Sequence, residues 1–412
     1  MKQVILFSSF LLFIFSCSVS KKQRPVPNKE AETLQKPVEK PFQSISEIKP
    51  PPVPKKDSLS TATISCVGDL MCHITQYTYA KKEDGTYDFN PTFSEVKLYL
   101  SESDFTIGNL ETTFAGTSVA YSGYPNFNSP DSYVEALKNA GFDLLVTSNN
   151  HSMDMGEAGL LRTIEMIKKN NLSYTGTYTS QRDRDSIRIF SLNGIKLGVV
   201  NFTYGTNGQL PSAQNKFMLN IIDSAQFAND ISLARKAGAD VVLAFFHFGP
   251  EYAREPSEFQ KNVVSKTIEC GADIIVGAHP HVLQTVETYK TKNTKLDSGV
   301  VAWSLGNFIS NQKDHYCDAG AIINLSITKN HTKDSIRISS VSFIPTWVYR
   351  GTNEKKKKHI IFPSEYYLKD SLPDFIDAEL KSNMKLSFEE SKAMMTKKSS
   401  KNVLKSVTGN KK

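Results

Sequence analysis

The chain has 412 residues, 39% hydrophobic and 22% charged, enough to bury a large core in one big domain or two ordinary ones. Its formal charge is +7, but Lys392, Lys397, Lys398, Lys401, Lys405, Lys411 and Lys412, with no acid after Glu390, account for all of it. The remaining body is neutral overall, which gives no support to a nucleic-acid-binding surface, and no nucleic-acid partner is expected.

Residues 1–17 read as a targeting segment: Lys2, a mostly apolar run from Val4 to Phe15, then Ser16-Cys17. The run is short for a membrane span, which favours a signal peptide. Ile14-Phe15-Ser16-Cys17 resembles a bacterial lipobox, in which the Cys is lipidated and becomes the new N-terminus. The expectation is an exported lipoprotein of the cell envelope, periplasmic or surface-facing, with simple secretion as the alternative. Residues 18–60 hold eight of the eighteen prolines, including Pro50-Pro51-Pro52-Val53-Pro54, and read as a disordered tether. Such a tether would hold a folded domain off a membrane.

The folded body is expected over residues 61–350. Thr63–Val67 reads as a strand ending in Gly68-Asp69, with His73 four residues beyond that Asp. A helical pattern at 91–100 leads to a strand at 104–108 that ends in Asn109-Leu110-Glu111. A helix at 132–140 leads to a strand at 143–147, followed by Ser148-Asn149-Asn150-His151 and then Asp154. Three successive strands thus end in metal-capable residues, at the position where α/β sheets place ligands. A helix at 157–169, strand fragments at 172–175 and 187–191, a strand at 195–201 and a helix at 223–237 follow. Asp240–Phe246 is a buried strand ending in His247-Phe248-Gly249-Pro250-Glu251-Tyr252. After a helix at 256–269, Asp273–Val276 is the strand before Gly277-Ala278-His279-Pro280-His281. Val300–Ser304 ends in Leu305-Gly306-Asn307-Phe308. Three antiparallel strands are expected at 321–327, 336–341 and 343–349. Residues 351–395 read as a peripheral segment, helical at 366–395, and 396–412 as a basic disordered tail. Cys66, Cys72, Cys270 and Cys317 show no paired spacing and read as free thiols. The alternation suggests α/β, with one mixed sheet or two stacked sheets.

His279 and His281 stand at i and i+2 around a Pro that excludes helix. An extended backbone would point them apart, whereas a turn can aim both at one point. Neutral imidazoles brought together this way suit a borderline metal, the bland alternative being two surface His on a loop. Set side by side, the strand ends offer Asp69, Glu111, Asn150, His247, His279 and His281, with His73 as an outlying candidate. Two carboxylates, an amide oxygen and three or four imidazoles suit two divalent cations, and mixed N/O ligation points to Mn, Fe or Zn. Such a pair clamps a phosphoryl group and lowers the pKa of water. Neither a G-x-S-x-G elbow nor a P-loop is present, which disfavours serine acyl transfer and nucleotide-dependent phosphoryl transfer.

Val67–Met71, Gly108–Glu111, Asn149–His151 with Asp154 and Gly156, His247–Tyr252, Gly277–Val282 and Ser304–Phe308 together resemble the CapA-type poly-γ-glutamate capsule-synthesis family, in order from about 64 to 310. That family is similar to calcineurin-like metallophosphatases, so the resemblance implies a metallophosphatase-like sandwich of two mixed β-sheets flanked by helices. It further implies that Asp69 and His281 hold one metal, that Asn150, His247 and His279 hold another, and that Glu111 bridges. His151 would match the His that protonates the leaving group or binds phosphate. Asp154 would orient His151 or cap the following helix. Asn109, Glu251, Tyr252 and Asn307 are candidate substrate contacts, against packing, helix-capping or turn-forming roles. The first motif departs from the phosphatase pattern, with His73 at four residues from Asp69 where Asp-x-His is usual, and Glu111 stands where Asp is usual.

Two functions follow. One is a metal-dependent phosphoesterase in extracellular polymer synthesis, acting on a phosphoester or an anionic polymer. The other is a non-catalytic accessory protein that binds such a polymer or a membrane-bound synthase. A periplasmic nucleotidase is a weaker alternative, because no adenine-binding feature is visible.

Overall fold

Strands buried on both faces lose the polar–apolar alternation of half-exposed ones and read as continuous apolar runs. Val241–His247 is such a strand: Val241, Leu243 and Phe245 turn into one core, and Val242, Ala244 and Phe246 into another. The computed structural model describes residues 58–292, 294–351 and 357–397, and the backbone of 404–406. The expected signal peptide, lipidated Cys17 and nearly all of the Pro-rich tether lie outside them.

Two mixed sheets form the body. The strands of the first are β1 (Leu59–Leu70), β2 (Phe105–Leu110), β3 (Leu144–Val146) and β4 (Ser173–Thr175). The second opens with β5 (Arg188–Leu192), β6 (Ile195–Thr203), β7 (Val241–His247) and β8 (Ile274–Ala278). It closes with β9 (Val286–Lys290) and β10 (Ser298–Ala302). The chain then returns to the first sheet with β11 (Asn307–Ile309), β12 (Ala319–Asn330), β13 (Ser335–Arg350), β14 (His359–Pro363) and β15 (Leu404–Ser406).

The first sheet runs β14-β13-β12-β1-β2-β3-β4, with β11 parallel to the end of β1 and β15 parallel to β13. The second runs β5-β6-β7-β8-β10-β9. Each has a parallel run, β1 to β4 in one and β6-β7-β8-β10 in the other, with antiparallel strands on the β12 side of the first and at both edges of the second. Ile64, Cys66, Ile107, Leu144 and Val146 of the first sheet share a core with Val199, Leu243, Phe245, Ile274 and Val276 of the second. Helices cover the outer faces. Those at Ser132–Ala140 and Gly156–Lys169 bury Leu137, Leu160 and Ile164 on the first sheet. Those at Ser224–Lys236 and Glu258–Glu269 bury Phe227, Ile231 and Val263 on the second. This is the two-sheet sandwich with flanking helices that the family resemblance implies.

Several elements differ from expectation. The 91–100 pattern is two short helices, Asn90–Phe93 and Lys97–Ser101. The strands expected at 336–341 and 343–349 are one continuous strand, β13. The segment 351–395 is not wholly peripheral: His359–Pro363 extends the sheet beside β13, and the helix Ala378–Thr396 buries Met384 and Met395. Leu404–Ser406, expected in a disordered tail, pairs with Val341–Phe343. The four cysteines are unpaired, and burial pushes the Cys72 thiol up to about 12. Among the described residues no helix is long and apolar enough to cross a membrane.

One close approach fixes the central strand. Asp69 N–H donates to Gly306 O at 3.0 Å, and a Cβ on the preceding Gly68 would lie 1.9 Å from the same oxygen. Backbone meets backbone there, so no side-chain rearrangement relieves the clash. Gly68→Ala should destabilise by about 3 kcal/mol or more, whereas Gly205→Ala, where a Cβ meets open space, should stay within about 0.5 kcal/mol. Urea-denaturation midpoints of the two variants test this; equal midpoints would remove the constraint.

Candidate metal centre

Parallel strands that begin together end together, and both sheets present their carboxyl ends to one place. β1 supplies Asp69, the residue after β2 is Glu111, and the turn after β3 carries Asn150 and His151. β7 ends in His247, and the turn after β8 carries His279 and His281. That turn bends both imidazoles to one side. His279 and His281 both have positive φ, 97° and 59°, and their ring centres are 5.6 Å apart. Left-handed backbone is costly for residues with a Cβ, so the turn must be held from outside. Phe248 N–H donates to Ala278 O at 3.0 Å, and Tyr252 N–H to Pro280 O at 2.7 Å. A Cβ on Gly277 would lie 2.0 Å from Trp303 O, so only Gly lets the strand end pack there.

The donors converge. Asp69 accepts from the Asn109 amide at 2.8 Å and faces His281 Nδ1 at 3.1 Å. The His279 backbone N–H also points at Asp69, 3.3–3.4 Å from its two oxygens. His247 Nε2 lies 2.7 Å from Asn150 Oδ1 and 3.5 Å from Glu111 Oε1, and His281 Nε2 lies 4.0 Å from the same Glu111 oxygen. Asp69, Glu111 and His281 form one grouping whose donor atoms lie within 4.8 Å of one another. Glu111, His247 and His279 form a second, and Glu251, His279 and His281 a third.

The electrostatics favour a cation. Asp69 and Glu111 are both 0% exposed. Burial raises the Asp69 pKa, but the bonds from His281 and Asn109 outweigh it and bring the carboxyl below its usual range. Glu111 has no such help. Burial and the neighbouring Asp69 push its carboxyl well above the usual range, and neither oxygen has a hydrogen-bond partner. Burial lowers the imidazole pKa of His247 strongly and of His279 to about 3, so both rings are neutral and their lone pairs are available. The buried Nδ1 of His279 is likewise unpartnered. Orphaned carboxylate oxygens among neutral imidazoles fit a divalent metal, and among the described residues this cluster offers such donors.

The remaining candidates take other positions. His73 begins the helix Ile74–Ala80, its N–H donating to Gln76 Oε1 at 2.8 Å, and it belongs to none of the three groupings. Asn109 and Asn307 are fully buried behind the donors. Asn109 bonds Asp69 and lies 3.1 Å from His247 Nδ1, and Asn307 Oδ1 lies 3.1 Å from His281 Nδ1. At 0% exposure both amides stand on the buried side of Asp69, His247 and His281. Asp154 Oδ2 lies 2.7 Å from His151 Nδ1 and accepts from Phe127 N–H at 2.7 Å, whereas the residue before the Gly156–Lys169 helix is Met155. Asp154 therefore orients His151 and does not cap that helix. Glu251 and Tyr252 are exposed at the rim. Tyr204, absent from the sequence reading, places its ring 4.6 Å from His279. It follows an ordinary strand, with no motif to mark it.

The profile of the family described as bacterial capsule synthesis protein PGA_cap matches residues 63–312. The chain belongs to this family. Within the capsule synthesis family it is 30% identical over 283 residues to capsule biosynthesis protein CapA of Bacillus anthracis, covering 66% of this chain and 65% of that one. It is 29% identical over 286 residues to PGA biosynthesis protein CapA of Bacillus subtilis, covering 68% and 72%. The chain thus spans about two thirds of the length of these relatives. Among solved structures it is similar to the calcineurin-like phosphoesterase YfkN of Bacillus subtilis, with 14% identity, 81% and 98% coverage and TM-score 0.42. It is also similar to the NAD nucleotidase of Haemophilus influenzae, with 12% identity, 86% and 65% coverage and TM-score 0.43. At those scores neither likeness bears on the chemistry.

The raised Glu111 pKa makes a signed prediction for metal-free protein. The folded state keeps that proton to higher pH than the unfolded chain. Its contribution is present below the unfolded carboxyl range and is lost as pH rises toward the folded value. The lowered imidazoles of His247 and His279 act oppositely below about pH 6.5, so the test is a difference. Relative to Glu111→Gln, chelated wild type should lose about 1.4 kcal/mol per pH unit above about pH 5. Urea denaturation across that range checks it; a flat difference would contradict the charge assignment.

Proposed function

We propose that the chain is an envelope-tethered phosphoesterase that uses two divalent cations of Mn, Fe or Zn and acts in extracellular polymer synthesis. The observation that carries this reading is Glu111, whose two buried oxygens lack a hydrogen-bond partner and which belongs to two donor groupings at once. Asp69, Glu111 and His281 would hold one cation, and Glu111, His247, His279 and Asn150 the other. Bound there, the cations would polarise a phosphoryl oxygen and lower the pKa of water. Membership in a capsule synthesis family supports the place of the reaction, and the Cys17 lipobox with its Pro-rich tether supports a lipid anchor. An anionic polymer and a membrane-bound synthase are the partners this reading implies.

The chain's own residues would do the rest. His151 is buried, and its Nδ1–H is held by Asp154, which leaves Nε2 as the atom that would exchange a proton with a leaving oxygen. The ring also stands edge-on to Phe127 with centres 4.7 Å apart, which fixes its plane. In none of the three donor groupings is His151 a member. A held imidazole beside a cation site, and not part of it, suits proton donation to a leaving oxygen.

His151→Ala should therefore retain its metal and its fold while turnover of an aryl phosphate ester falls ~10²–10⁴-fold. Metal content and turnover per bound metal are measured together, with polymer output in cells carrying the variant. Loss of metal in proportion to activity would make His151 a ligand. Normal metal and normal polymer output would favour the accessory protein over the enzyme.

A further inference from the structure

We propose that Glu251 sets the charge of the metal centre from its open side and so favours monoanionic phosphodiesters over dianionic monoesters; this rests on the phosphoesterase reading above. Asp69 and Glu111 are fully buried, whereas Glu251 is exposed. One of its carboxylate oxygens nevertheless lies within 4.8 Å of a ring nitrogen of both His279 and His281. In the two groupings that contain Glu111, His279 stands with His247 and His281 with Asp69, so Glu251 faces both halves of the centre from the solvent side. The partnerless Glu111 oxygens and His279 Nδ1 mark, independently of Glu251, the cation site that it faces.

The carboxylate is presented by a braced loop. Tyr252 has φ 62° and donates its N–H to Pro280 O at 2.7 Å, which ties the loop to the His279–His281 turn. The Gln284 amide donates to Ala253 O at 2.8 Å and to Glu255 O at 3.3 Å. Gln260 in turn donates to Gln284 Oε1 at 2.9 Å, linking the loop to the helix Glu258–Glu269.

The charge balance follows. Two divalent cations bring four positive charges, and Asp69, Glu111 and Glu251 bring three negative ones. With the bound water still neutral, the open face would then carry about one positive charge, which matches a phosphodiester. A monoester dianion would bring a second negative charge to a face that already carries the Glu251 carboxylate. The rim supports the same preference. The rings of Tyr204 and Tyr252 lie 4.6 Å from His279 and 6.2 Å from His281, and both are partly exposed. They offer apolar faces to the second alcohol group that a diester carries and a monoester lacks.

The test uses Mn-loaded wild type and Glu251→Gln, which keeps the shape and removes the charge. Orthophosphate binding is measured by calorimetry, and kcat/KM is measured for bis-p-nitrophenyl phosphate and for p-nitrophenyl phosphate. The expected result is unchanged metal content, with orthophosphate binding about tenfold tighter in the variant and stronger in its response to salt. The diester-to-monoester ratio of kcat/KM should fall by a similar factor. Unchanged orthophosphate affinity overturns the proposal. So does loss of metal from the variant, which would make Glu251 a ligand. If wild type cleaves neither ester while orthophosphate still binds tighter to the variant, the hydrolytic reading fails and the charge role of Glu251 stands.

Discussion

Asp69 and Glu111 are two carboxylates held out of water beside one another, and the functional end of the molecule is arranged around that fact. The parallel pairing of β1 with β2 puts them there: Leu70 pairs with Leu110, and Glu111 N–H donates to Leu70 O at 3.1 Å. Taking charges out of water costs several kcal/mol per ion even after relaxation. Asp69 recovers part of that through the Asn109 amide, the His279 backbone and His281. Glu111 accepts no hydrogen bond from the protein. A fold that leaves one buried carboxylate uncompensated, ringed by neutral imidazoles, gives up stability in the metal-free state and regains it when a cation binds.

The two sheets are the means of convergence. Each has a parallel run, and the carboxyl ends of both runs meet. The short segment from Trp303 to Gly306 passes between them. Its carbonyls come close enough to Gly68 and to Gly277 that a methyl group at either position would overlap backbone. Those two glycines precede Asp69 by one residue and His279 by two. The close packing of three backbones thus fixes donors that come from different sheets, which is the precision a metal site needs. Behind them stand Asn109 and Asn307, and beside them Asp154 holds His151, so the site is supported from its buried side by amides and carboxylates.

Much of this was legible in the sequence, for a physical reason. Buried parallel strands are nearly pure apolar runs, so a carboxylate or imidazole just after one stands out, as Asp69, Glu111, His247 and the His279–His281 pair do. The direction of a side chain beyond a turn is not legible in the same way. Nothing in the order of residues tells that Asn307 and Asn109 turn inward onto His281 and Asp69, that Tyr204 lies against His279, or that Glu251 reaches toward two imidazoles from solvent. His73 looks like a ligand by type, but its backbone N–H bonds Gln76 at the start of a helix. Strand β14 was hidden because its apolar run is only His359–Pro363 long and follows a lysine cluster, and length is what separates strands from helix fragments.

The most direct test of the account is metal stoichiometry. Wild-type protein reconstituted with Mn and freed of excess should retain about two equivalents by elemental analysis. Because Glu111 belongs to both groupings and His247 to one, Glu111→Ala should retain almost none and His247→Ala about one. A wild type that holds no metal, or two variants that lose metal equally, would contradict the shared-carboxylate centre.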